Sequence, residues 1–123
     1  MKAITIKEPF ASLIIEGHKK YEYRSWKTKY RGKILIHAGL GKYPGDMSRF
    51  DSYEFSPNKG FILGEAEIVD CILVTEEIKK ELLKEDPIIN KHAEGYAFKL
   101  ANIKKYNKPI PAKGKLSLWE FNL

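Results

Sequence analysis

The chain has 123 residues, a length that suits one domain and leaves little room for a second. Its hydrophobic content of 43% supports one packed core and excludes a disordered chain, and no stretch approaches the roughly eighteen consecutive apolar residues of a membrane-spanning helix. The formal net charge of +6 favours anionic partners such as nucleic acid, phosphate-bearing small molecules or an acidic surface, although many basic proteins bind nothing acidic. The lone cysteine, Cys71, excludes an intrachain disulfide and fits a reducing cytosol. The opening "MKAITIKEPF" lacks the apolar core of a signal peptide, so a soluble, cytoplasmic protein with no membrane partner is expected.

"KAITI" alternates and is β-branched, which predicts a first strand. Pro9 suits a helix start, and Phe10, Leu13 and Ile14 fall at helical spacing, so residues 9–16 form a short helix with Gly17 as its C-cap. "KKYEYRSW" alternates again, with Lys20, Glu22, Arg24 and Trp26 on one face and Lys19, Tyr21, Tyr23 and Ser25 on the other. Lys33–Ala38 reads as a buried strand, and 39–60, rich in Gly, Pro, Ser and Asp, as a long surface loop. "GFILGEAEIVDCILVT" predicts a long strand bent near Gly64, with Cys71 buried in it. Thr75 caps a helix over "EEIKKELLKED" that Pro87 ends, and the run "KKELLKED" reads as its solvated face. "GYAFKLANIKKY" is a further strand; a proline-punctuated connector leads to a last strand ending at Trp119 to Phe121. The pattern is α+β, with a small, mostly antiparallel sheet expected to close into a β-barrel, and two or three short helices.

Several chemistries are absent. There is no GxxxxGK[ST] phosphate loop, no GxSxG elbow, and His18, His37 and His92 lack metal-ligand spacing, so neither a metal nor a cofactor is expected. What remains is "EGHKKYEYRSW". Its Lys19 and Arg24 supply cations for phosphate, its aromatic residues supply flat faces for bases, and Glu22 can accept from a base edge or a ribose hydroxyl. The plainer alternative is a strand whose Glu22 pairs with Arg24 and whose aromatics are core. His37 at the end of a buried strand, Tyr96 at a strand start and Ser117 in the last strand each have a structural and a functional reading. The five lysines of "IKKYNKPIPAKGKL" read as part of an electrostatic rim.

"ITIKEPFASLIIEGHKKYEYRSW" resembles the opening of ASCH domains, small proteins of the PUA-like superfamily, whose pattern is a strand, Q-P-[WFY]-A-x-x-[IL], a glycine, and K-x-x-E-x-R. The resemblance continues through "YRGKILIHA", "GEAEIVDC", "GYAFKL" and "KGKLSLWEF", and so spans nearly the whole chain as a single domain, 1–123. Glu8 departs from the pattern, standing where glutamine is common. The resemblance implies a PUA-like β-barrel with a cleft beside the first helix that takes RNA or a nucleotide-like ligand. Carried over to this chain, it makes Lys19, Glu22 and Arg24 the central residues, beside Pro9, Phe10, Trp26 and His37, with Tyr96 and Ser117 across the cleft.

Three functions follow from that resemblance. One is a binding module for RNA or a nucleotide. The second is a hydrolase: a ribonuclease of single-stranded RNA, with Lys19 stabilising the phosphorane and Glu22 or Tyr96 moving the proton, or an N4-acetylcytidine amidohydrolase. The amidohydrolases carry K-x-x-T, and Glu22 stands where their threonine nucleophile would be. The third is a protein-interaction domain with no nucleic-acid role. If the cleft is a site, Lys19 must precede its strand, which then begins near Lys20; strict alternation would put Lys19 on the face opposite Glu22 and Arg24.

Overall fold

The computed structural model describes residues 1–86, 88 and 94–123. The predicted helix stop at Pro87, and His92, lie outside the described residues. Strand β1 (Lys2–Lys7) leads into helix α1 (Phe10–Ile15), then β2 (Tyr21–Arg24) and β3 (Gly32–Gly39). A 3₁₀ turn, Met47–Phe50, interrupts the long connection to β4 (Phe61–Leu73). Helix α2 (Glu76–Glu85), β5 (Tyr96–Pro111) and β6 (Leu118–Glu120) complete the chain. Among the described residues no helix is long and apolar enough to cross a membrane.

Among the described residues six strands form one sheet in the order β2-β5-β4-β3-β1-β6. All neighbours are antiparallel except β1 and β3, which run parallel with Ile4 opposite Ile36 and Thr5 opposite His37. Both faces are covered. Ile4, Ile6, Ile34, Ile36, Ile68 and Phe98 pack with Ala11, Ile14 and Ile15 of α1, while Ala3, Leu35, Ile62 and Trp119 fill the other side. Two covered faces explain why "ILIHA" is apolar throughout instead of alternating. Each fully buried isoleucine or leucine contributes about 1.5–3 kcal/mol relative to exposure.

The barrel expectation is corrected. The sheet has two ends, β2 and β6, and no ladder joins them among the described residues. The reason is length. β6 has three residues and pairs with β1 only from Lys2 to Ile4, so the rest of β1 lacks a strand on that side, and four-residue β2 pairs only with β5. Three further expectations change. β5 runs on through Pro109 to Pro111, pairing Ile62 with Ile110, where a connector was expected; beyond Lys99 its outer edge is free of β2, and proline is tolerated on a free edge. Cys71 is half-buried instead of buried. Ser117 is exposed and precedes β6, in a left-handed conformation with φ of 57°.

Long β4 and β5 stay paired by shifting register three times. One shift lies at Gly64, the glycine where a bend is expected, and any Cβ there would collide with the Lys104 carbonyl oxygen. The connection 39–60 is anchored. Phe50 is buried against Leu13 and Ile88, and Phe10, Tyr43, Tyr53 and Phe55 pack around them. Glu8, itself buried, accepts from the Ser12 N–H at 2.8 Å and the Asn58 N–H at 2.9 Å, and so ties α1 to the end of that connection.

Candidate functional site

Between β2 and the part of β1 that β6 leaves unpaired lies a cleft of about 600 Å³. Its walls are Thr5, Ile6 and Lys7 of β1, Phe10 of α1, and Glu22, Tyr23 and Arg24 of β2, with Gly39, Leu40 and Gly41 at the end of β3. Ile88 and Glu94 line it from the chain before β5. Consecutive residues of β2, and so residues from both of its faces, border the cleft.

Lys19 enters from a turn. α1 ends at Ile15, Gly17 takes φ of 82°, and the N–H groups of His18 and Lys19 both donate to the Leu13 carbonyl. That places Lys19 before β2, which begins at Tyr21, one residue later than predicted. Its side chain is 3% exposed. The ammonium donates to the Tyr21 carbonyl, lies 3.6 Å from Asp86 Oδ2, and sits 4.5 Å from the Tyr23 ring centroid and 5.7 Å from that of Phe10. Burial pushes the Lys19 amine below its ordinary value, opposed by Glu22 and Asp86. Burial likewise pushes the Asp86 carboxyl up, opposed by Lys19. Asp86 Oδ1 has no hydrogen-bond partner among the described residues.

Arg24 spans the gap. Its guanidinium lies 2.9 Å from Glu22 Oε2 and donates to the Thr5 carbonyl at 2.6 Å, so a β2 side chain satisfies an acceptor on β1 that no strand reaches. The cleft floor therefore carries two cations, Lys19 and Arg24, matched by two carboxylates, Asp86 and Glu22. Its formal charge is zero. It is lined by the Phe10 and Tyr23 rings, with donors at Arg24 and an acceptor at Glu22.

Lys19, Glu22, Arg24 and Phe10 thus meet at one cleft. The other sequence candidates stand elsewhere. Pro9 occupies the position before α1. Trp26 packs edge-on against Phe98 at 5.1 Å. Tyr96 packs against the core at the start of β5. Ser117 is on the exposed turn before β6. His37 is buried behind Thr5: its Nε2 pairs with the Ala112 carbonyl at 2.8 Å and its Nδ1 with Thr5 Oγ1 at 3.2 Å, and Thr5 Oγ1 accepts from the Trp119 indole at 3.1 Å.

Tyr23 serves both readings that the sequence left open, since it packs against Tyr21, Leu82 and Ala97 and also lines the cleft. Sequence reasoning missed Asp86, which reads there as part of a solvated helix face. Asp86 did leave a signal. A carboxylate at the C-terminal end of a helix opposes the helix dipole, so its place there needs another reason.

The ASCH domain family model matches residues 4–110. The chain is 28% identical over 134 residues to activating signal cointegrator 1 of Mus musculus, an alignment that takes in 97% of this chain and 22% of that protein. The Homo sapiens protein of the same name is 27% identical over 133 residues, with the same coverage. The chain thus spans about a fifth of the length of these curated relatives (22%). Among solved structures, ASCH from Zymomonas mobilis aligns with a TM-score of 0.69 at 15% identity, covering 98% of this chain and 87% of that one. A tyrosine-to-phenylalanine variant of the same protein gives 0.68, with 15% identity and coverage of 98% and 89%. At this identity the likeness concerns the fold.

Proposed function

The chain belongs to the ASCH domain family, and from that premise we propose that its cleft binds RNA or a nucleotide-like ligand, one nucleotide at a time. The observation that carries this reading is the convergence of Glu22, Arg24 and the Phe10 and Tyr23 rings on one concave site of about 600 Å³. That volume falls in the range of roughly 300–1,000 Å³ typical of small-molecule sites. It has room for one nucleotide and none for a duplex. Glu22 accepts from an amino or imino group of the base, Arg24 donates to a ring carbonyl, and the rings cover the base faces. Lys19 holds the floor in shape: its ammonium already serves Tyr21 and Asp86.

The test is titration of the four ribonucleoside monophosphates into labelled protein, followed by amide NMR. Shifts concentrated at Phe10, Tyr23 and Arg24, with affinity lost in Arg24→Ala, support the reading. No shift at those residues with any nucleotide overturns it.

Catalysis on RNA is a second reading. Its supporting observation is that Lys19 and Glu22 line the same cleft, where burial holds the Lys19 amine below its ordinary value. It requires turnover of single-stranded RNA, or of acetylated cytidine, that disappears in both Lys19→Met and Glu22→Gln. Purified protein that binds but turns over neither substrate sinks it.

A further inference from the structure

The cleft floor is charge-balanced, yet the chain carries a net charge of +6, so the excess lies elsewhere. Part of it gathers at one place. At the end of the sheet where β1 and β3 finish, four stretches meet: 5–7, 38–45, 56–60 and 111–117. Their meeting is visible in backbone bonds and close contacts. The Gly60 N–H donates to the Ala38 carbonyl at 2.7 Å, and the Ala112 N–H donates to the Gly60 carbonyl at 3.1 Å. A Cβ on Gly41 would touch the Lys7 side chain at 3.2 Å, and one on Gly114 would lie 2.7 Å from Thr5 Oγ1. These stretches contain no Asp or Glu. They carry Lys7, Lys42, Lys59, Lys113 and Lys115, all exposed, none of which makes an ion pair among the described residues.

We infer that Lys7, Lys42, Lys59, Lys113 and Lys115 form a phosphate track, continuous with the cleft mouth at Lys7, that holds the backbone of a single-stranded nucleic acid whose base enters the cleft. The inference rests on the nucleotide-binding reading of the cleft and adds a second surface to it. The physical reason is a division of labour. A phosphate in the floor would meet Glu22 as well as Arg24, whereas a phosphate held on these four stretches meets their lysines and no acidic residue of theirs. The floor suits an uncharged planar group and the rim suits its charged backbone, so a strand of several nucleotides binds where a single nucleotide uses only part of the surface. The lysines of "IKKYNKPIPAKGKL" are thereby divided. Lys105 pairs with Glu16 on another face, while Lys113 and Lys115 belong to the track.

The experiment measures fluorescence anisotropy of a labelled ten-nucleotide single-stranded RNA over a salt series, alongside binding of the mononucleotide. The proteins are wild type, Lys113→Glu/Lys115→Glu, Lys42→Glu/Lys59→Glu, and the control Lys27→Glu/Lys29→Glu. The control makes the same charge change on the connection entering β3 at the opposite end of that strand. Each lost phosphate contact lowers the salt slope by about 0.7, so either track pair removes about 1.4 from it. Both track variants are expected to weaken the RNA at least ~10-fold, leave the mononucleotide unchanged, and exceed the control clearly. Circular dichroism identifies any variant that fails to fold, and the other track pair then carries the test. Mononucleotide binding with RNA affinity equal in track and control variants overturns the track and leaves the cleft reading standing. Binding of neither probe overturns both. Binding to phosphatidylserine vesicles without RNA binding also overturns the track, since the lysines would then serve a lipid surface.

Discussion

Breaking the Lys19–Asp86 pair should destabilise the protein unequally, according to which partner is removed. The two side chains are 3% and 0% exposed, with 3.6 Å between Nζ and Oδ2. Removing one member of a buried pair costs about 3–5 kcal/mol, because the other charge is left uncompensated. For Lys19→Met the middle of that range applies, about 4 kcal/mol: the carboxylate left behind is wholly buried, and its Oδ1 has no partner among the described residues. For Asp86→Ala the cost is smaller, about 2 kcal/mol, because Lys19 keeps the Tyr21 carbonyl, the Tyr23 ring and the field of Glu22, and the orphan oxygen disappears. The double variant should lose about 4 kcal/mol, less than the ~6 kcal/mol sum, since the second change removes an already uncompensated charge. Urea unfolding measures all three. At an m-value of about 2 kcal/mol/M, Lys19→Met moves the midpoint by about 2 M. Asp86→Ala costing more than Lys19→Met, or singles that add within about 0.5 kcal/mol, would refute the pairing and its asymmetry.

Three further outcomes follow from the geometry. The Tyr21 hydroxyl, buried and donating to Glu85 at 2.6 Å, is pushed up to about 12 by burial first and Glu85 second. The folded state therefore holds that proton more tightly than the unfolded one, whose value is near 10.0, so the stability it contributes is complete below pH 10 and is lost as pH rises towards 12. Ultraviolet titration of tyrosinate, compared with Tyr21→Phe, reads this, and ionisation of Tyr21 at its ordinary value would contradict it. Gly64→Ala forces a Cβ into the Lys104 carbonyl and should cost about 1–3 kcal/mol in thermal or chemical unfolding; a neutral substitution would mean β4 and β5 can part there. His37 should carry its proton on Nε2, which alone can donate to Ala112, leaving Nδ1 to accept from Thr5 while Thr5 accepts from Trp119. Nitrogen NMR of the ring identifies the tautomer, and a proton on Nδ1 would break the assigned chain.

Elements governed by local chemistry were legible in the sequence. Alternation at "KAITI", the Gly17 stop and the Thr75 cap each act within a few residues, and each predicted feature lies where the sequence placed it, within a residue or two. Glu22 and Arg24 could be placed together because two residues along a strand share a face. Contacts between distant segments were hidden. Asp86 meets Lys19 across 67 residues of chain, and no periodicity links them. Barrel closure depends on whether the terminal strands are long enough to pair. The composition of "YEYR" and "LWE" says strand, and not how far each ladder extends. β5 ran past its prolines because only one of its edges was occupied there, a fact of topology that the prolines themselves do not carry.

The Arg24 to Thr5 bond also sets a dimension. Where two strands share a ladder, their spacing is fixed near 4.7–4.9 Å whatever the side chains are. Across the gap between β2 and β1 no ladder applies, and the distance is spanned by the length of one arginine. What closes that gap is therefore side-chain chemistry and not a backbone ladder. A shorter or neutral residue at position 24 would remove that bridge while the ladders holding β1 and β2 stay in place, so the reach of a ligand between the two strands is open to change at one residue.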